Sequence, residues 1–191
     1  MVEEGGARRV RVGELKAMLR SSAGARDGGR GRDWLALERL VFATTSASLP
    51  KDLALLAARV VLTWIFIYYG AGKLFGAFDG GGIHGTAQYF SQTAGLHPGT
   101  FWAVVGGITE FGGGIAMAFG LATRLAGLAL FGDMVIAMIT VTWATGLNAN
   151  PGYQVNIAVA ALALVTVFLG GGRFSVDHLI DRALTKRTDK G

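Results

Sequence analysis

No cysteine occurs in the 191 residues. That absence excludes disulfides, cysteine-ligated iron–sulfur clusters and thiol redox chemistry carried by this chain alone. Histidine is nearly as scarce. His84, His97 and His178 all fall outside the apolar runs, so facing membrane helices offer no histidine pair for a haem, and no ligand set at metal spacing is present. Charge is thin as well: 16% of residues are Asp, Glu, Lys or Arg, against about 25% in soluble domains. Hydrophobic residues make up 51%, and the mean hydropathy is +0.44. This is membrane composition, implying a multi-pass protein of the plasma membrane in contact with lipid. The net charge of +5 does not argue for nucleic acid, because the basic residues collect at the two ends, beside apolar runs. Chain orientation and an anionic lipid surface account for that pattern.

The run Phe101–Gly120, FWAVVGGITEFGGGIAMAFG, is the stretch around which the rest is organised. It is long enough to span a bilayer as a helix, which takes about 20 apolar residues. At helical spacing Ala103, Gly106, Gly107, Glu110, Gly113, Gly114 and Met117 share one side, nearly all of it glycine. Small residues at this spacing let a second helix approach closely in lipid. An ionisable group in hydrocarbon is costly and faces protein, so Glu110 is expected to meet a partner.

The remaining organisation follows from composition. Residues 1–50 form a basic, Gly/Ala/Ser-rich tail that buries too little apolar area to offset its ordering entropy. It reads as an unstructured extension, or as the product of an upstream start with Met18 or a later position as the true one. Val12–Leu19 and Trp34–Phe42 are the two pieces within it that could lie as helices on a membrane surface. Residues 51–180 hold four apolar spans: Leu53–Gly72, Phe101–Gly120, Leu125 to about Thr145, and Tyr153 to about Gly170. Residues 181–191 are a basic C-terminal tail. The fold class is therefore all-α, an integral membrane four-helix bundle. Between the first two spans, Thr86–Ala94 is expected to make a short interfacial helix presenting Tyr89 and Phe90. Lys and Arg gather in the N-terminal flank, the Arg124 turn and the C-terminal tail, whereas the loop 73–100 has only Lys73 and the loop 146–152 has none. Both termini are accordingly expected in the cytoplasm, with Arg124 in a cytoplasmic turn.

Depth along the spans then singles out three buried charges. At 1.5 Å per residue, Arg59 sits about 9 Å from the cytoplasmic end, Asp133 about 12 Å and Glu110 about 14 Å. The expected cluster is Arg59, Glu110 and Asp133, with the guanidinium forked onto one carboxylate and the other acid carried without charge. Such a cluster reads either as a clamp on helix register or as a proton-accepting or headgroup-binding site. Lys73, His84, Tyr89, Tyr153 and Asn156, at the opposite ends of the spans, form a second candidate group for a headgroup, quinone or interface site.

Arg59, Gly70-x-x-Lys73-Leu74, Glu110 followed by glycines, Gly120-x-x-Thr123-Arg124 and Gly172-Arg173-Phe174-Ser175-x-Asp177 together resemble the DoxX family, over about Leu53 to Leu179. The resemblance implies a four-helix membrane protein. Some relatives are linked with thiosulfate:quinone oxidoreductase, and mycobacterial members with a membrane oxidoreductase complex containing superoxide dismutase and a sulfurtransferase. It points to Arg59, Lys73, Glu110 and Arg124 without giving them a catalytic role. The expected function is a membrane subunit of a redox or thiol-stress complex, with quinone as the cofactor in question and partner proteins supplying electrons. A non-enzymatic anchor or assembly factor and a small-solute or proton transporter are the alternatives, and a homo-oligomer stays open.

Overall fold

The computed structural model describes residues 48–149 and 152–188; the two short helices expected in the N-terminal tail lie outside them. The described residues form six α-helices and no strand. Helix α1 (Leu49–Phe75) opens with Pro50, whose missing N–H costs nothing in a first turn, and Asp52, which suits the positive end of the helix dipole. It closes at Gly76, whose φ of 69° lets its own N–H return to the Gly72 carbonyl and that of Ala77 to the Ala71 carbonyl. Helix α2 (Gly82–Gln92) covers the expected interfacial piece but starts four residues earlier. Helix α3 (Gly99–Phe119) ends in a second left-handed glycine, Gly120 at φ 65°. Helix α4 (Thr123–Ala137) runs on through a π-helical stretch, Met138–Thr142, and a 3-10 turn, Trp143–Thr145. Helices α5 (Gln154–Leu169) and α6 (Val176–Thr188) complete the chain.

Among the described residues, three helices are long and apolar enough to cross a membrane: α1 with 27 residues, α3 with 21 and α4 with its extension at 23. The expected fourth span is α5, apolar but only 16 residues long. That is about 24 Å of helix against a hydrocarbon core of about 30 Å.

Helix α3 packs most extensively on α1, and α4 on α5. The buried core they share consists of Leu62, Phe66, Met117, Ala126, Leu130, Val159 and Ala163. Trp64, Ile108 and Phe168 instead point outward and are exposed, as suits a protein whose surroundings are lipid. The glycine side of α3 serves two neighbours. A β-carbon on Gly114 would lie 2.9 Å from Ile67 Cγ1 of α1, and one on Gly113 would lie 2.7 Å from Leu130 Cδ2 of α4. Glycine is therefore required on both flanks, because a larger residue would hold the helices apart.

A polar joint ties the helix ends together where α1 begins and α3 ends. Arg59 is 2% exposed. Its Nε donates to the Met117 carbonyl at 2.9 Å, one terminal nitrogen to Ala118 at 3.0 Å, and the other to Gly171 at 3.1 Å and Phe174 at 2.7 Å. The guanidinium thus adds donors to carbonyls in the last turn of α3, one of which, Met117, also accepts the Gly120 N–H. Asp177, in the first turn of α6, does the converse for α4. Its two carboxylate oxygens accept the backbone N–H groups of Ala122 at 2.6 Å and Thr123 at 2.8 Å. Asp52 accepts the N–H of Arg173 at 3.1 Å. Ser175 caps α6 by accepting the N–H of His178 at 3.2 Å.

Candidate functional site

The expected trio of Arg59, Glu110 and Asp133 does not form. Glu110, 2% exposed, is held by Lys73, whose Nζ donates to Glu110 Oε1 at 2.6 Å. The acid acting on the charge of Arg59 is Asp177. Side-chain direction explains the exchange. Side chains on a helix lean toward its N-terminus. Arg59, near the start of α1, therefore reaches outward to the end of the helix, while Lys73, near its finish, reaches back inward to the glycine side of α3. Counting residues places the α-carbons at similar depth, but the two long side chains travel in the same direction from opposite ends.

Glu110 and Asp133 line the same cavity, near enough to act on each other, and both feel the charge of Lys73. Asp133 Oδ1 lies 3.9 Å from where a β-carbon on Gly106, one turn before Glu110, would stand, which places this carboxyl against the glycine side of α3. Glu110 Oε2 and Asp133 Oδ2 are buried and have no hydrogen-bond donor among the described residues. Lys73 also stands over the Phe90 ring, 5.6 Å from its centroid, a favourable seat for a cation.

These charged groups line a partly open cavity of about 710 Å³ bordered by residues of α1 to α5. Ile65, Phe90, Trp102 and Val105 give it apolar and aromatic walls, and Thr86, Thr142 and Asn156 add neutral polar groups. A concave, mostly apolar space with a few convergent polar groups is the usual form of a small-molecule site. Of the second candidate group, Lys73, Tyr89 and Asn156 line the cavity. His84 borders a separate hollow with Ser91 and Gln92, and Tyr153 stacks on Trp143 at 5.3 Å between ring centroids. Arg124 is in the first turn of α4, at the end of the molecule that carries the Arg59 joint. Trp102 and Thr142 had no sequence signal of their own. Lys73 had one, since it shares a helix face with Gly70 and Phe66.

The DoxX family model matches residues 54–143, the segment that contains Arg59, Lys73, Glu110 and Asp133. Inner membrane protein YqjF of Escherichia coli (strain K12) is 30% identical over 134 residues, which cover 69% of this chain and 95% of that protein. The chain belongs to the DoxX family. With its apolar helices, it is a multi-pass protein of the plasma membrane. No solved structure matches it. The DoxX-like motifs separate into two places. Gly120, Thr123 and the segment Gly172–Asp177 build the joint around Arg59, whereas Lys73 and Glu110 build the cavity cluster. Asn156 lies beyond the matched segment, on the α5 wall of the cavity.

Proposed function

We propose that this DoxX protein is the membrane subunit of a redox complex and binds a quinone headgroup in the cavity beside Lys73, Glu110 and Asp133. The observation that carries this reading is the placing of a lysine and two carboxyl groups against aromatic walls inside an apolar helix assembly. A quinone needs an apolar seat for its ring and donors for its carbonyl oxygens. Its reduction to the quinol takes up two electrons and two protons. Glu110 and Asp133 are placed to hold protons for that exchange. A chain without cysteine or a membrane-embedded histidine pair relies on a partner protein for the electrons.

Tryptophan fluorescence tests the reading. In a Trp64→Phe, Trp143→Phe background, a short-tailed benzoquinone should quench the purified protein saturably, and Trp102→Phe should remove most of that quenching. Quenching that stays linear, or is unchanged by Trp102→Phe, would sink the quinone site. In that event the protein is better read as an anchor, a role the extensive joint around Arg59 equally suits.

In the proposed orientation α5 also crosses the membrane, and both termini are cytoplasmic. The supporting pattern is the concentration of Arg124, Arg173, Arg182 and Lys186 in the Arg59-joint turn and the C-terminal helix, against Lys73 alone in residues 73–100. A reporter fused after Gly191 should stay in the cytoplasm, and one inserted at Gly81 should be exported. The reverse result would invert the assignment and place the cavity cluster nearer the cytoplasm.

A further inference from the structure

The cavity has a second polar group, away from the Lys73 cluster, and its geometry is unusual. Thr142 Oγ1 has two acceptors in reach, the Met138 carbonyl at 3.5 Å and Asn156 Oδ1 at 3.2 Å; donation to the nearer one sets the amide with its NH2 turned the other way. That NH2 meets the Met134 sulfur at 3.9 Å. A thioether is a weak acceptor, so the amide retains donor capacity at the cavity wall. Thr142 belongs to the π-helical stretch Met138–Thr142. The wider turn there shifts the register of the residues after it, as is frequent where helices line functional sites. Lys73, in turn, gives a hydrogen to Glu110 Oε1, and an ammonium has three to give.

We infer that the cavity holds its ligand at two poles, with Lys73 donating at one and the Asn156 amide at the other, and so selects a ring bearing two opposed carbonyl oxygens. This rests on the quinone reading and sharpens it. A single-headed amphiphile, such as a fatty acid or a ring with one carbonyl, would engage one pole and leave the other unused. Thr142 is a positioning residue: its hydroxyl keeps the amide oxygen away from the ligand, where it would repel a carbonyl. Lost hydrogen bonds of this kind discriminate well, because a buried donor left unpaired is costly.

The test compares two probes by tryptophan quenching: a short-tailed 1,4-benzoquinone and a cyclic monoketone with the same tail, read by competition. Asn156→Leu should weaken the benzoquinone by about tenfold and leave the monoketone unchanged, an effect of the size expected for one hydrogen bond. Thr142→Val keeps the side-chain volume and should weaken the benzoquinone alone, by about threefold. Equal losses for both probes would show that Asn156 merely shapes the wall and would overturn the two-pole assignment. So would full benzoquinone affinity in folded Asn156→Leu or Thr142→Val protein. Failure of the unsubstituted protein to bind benzoquinone at all would remove the quinone reading itself, and this inference with it.

Discussion

Arg59→Met should cost the folded protein about 3–5 kcal/mol, the range for removing one member of a buried, hydrogen-bonded charge network. Four carbonyl oxygens, on Met117, Ala118, Gly171 and Phe174, receive hydrogens from this one side chain. Methionine fills much of the volume and replaces none of those donors. Arg59→Lys should recover little, because an ammonium cannot present hydrogens in a planar fork to carbonyls on two sides. Unfolding by SDS from mixed micelles measures the loss. The same assay separates the two cation sites. A double-mutant cycle between Arg59→Met and Glu110→Gln should be additive, since the two side chains share no partner. The cycle between Lys73→Met and Glu110→Gln should show a favourable coupling of about 1–2 kcal/mol, restrained by the partial exposure of Lys73. Coupling in the first cycle and none in the second would mean that Glu110 is paired with Arg59 after all.

Gly70→Ala should be strongly destabilising for a change of one methyl group. A β-carbon there would fall within 2.8 Å of the Phe111 α-carbon and 2.9 Å of its β-carbon, so a backbone has to move rather than a side chain. Overpacking costs about 1–3 kcal/mol when neighbours can adjust, and the upper end applies here. The gain of up to about 1 kcal/mol from replacing glycine inside a helix offsets only part of it. The displacement should also reach the cavity, because Lys73 is the next position on that face of α1 and would be drawn away from Glu110. Loss of stability together with loss of the Lys73–Glu110 coupling is therefore expected. Gly112→Ala is the control: nothing lies within 4 Å of a β-carbon at that position, and the substitution should be neutral or slightly stabilising. Wild-type stability in the Gly70→Ala protein would show that α1 and α3 do not rely on this close approach.

Much of the arrangement could be read from residue spacing. The apolar runs locate α1, α3 and α4 to within a few residues, and the glycine side of α3 does receive its neighbours. Depth along the spans also puts Glu110 and Asp133 level with each other, and both line the same cavity. What spacing misjudges is the cation. An α-carbon's depth is additive along a helix, but a long side chain adds its own reach, with a direction set by chain polarity. Arg59 and Lys73 lie on one face of α1 and differ in which end of the helix they are near. The joint around Asp52, Ser175 and Asp177 escapes a helix-by-helix reading for another reason. Its bonds join residues as far apart as Asp52 and Arg173, and each acid meets backbone N–H groups that have no sequence signature. The π-helical stretch and the cavity it borders are likewise products of packing among five helices rather than of any local pattern.

The joint also has a bearing on how the protein is made. The end of α3 and the start of α4 draw on distant side chains: the Met117 and Ala118 carbonyls take hydrogens from Arg59, and the Ala122 and Thr123 N–H groups give theirs to Asp177. Arg59 emerges from the ribosome before them and Asp177 well after, since chains are delivered from the N-terminus. A nascent chain that has not yet supplied Gly171 and Phe174 gives Arg59 only its two α3 acceptors. The segment that follows α5 is therefore the one that completes the hydrogen bonding of Arg59 on α1. The helices can lock together at this end only after that segment has followed them out.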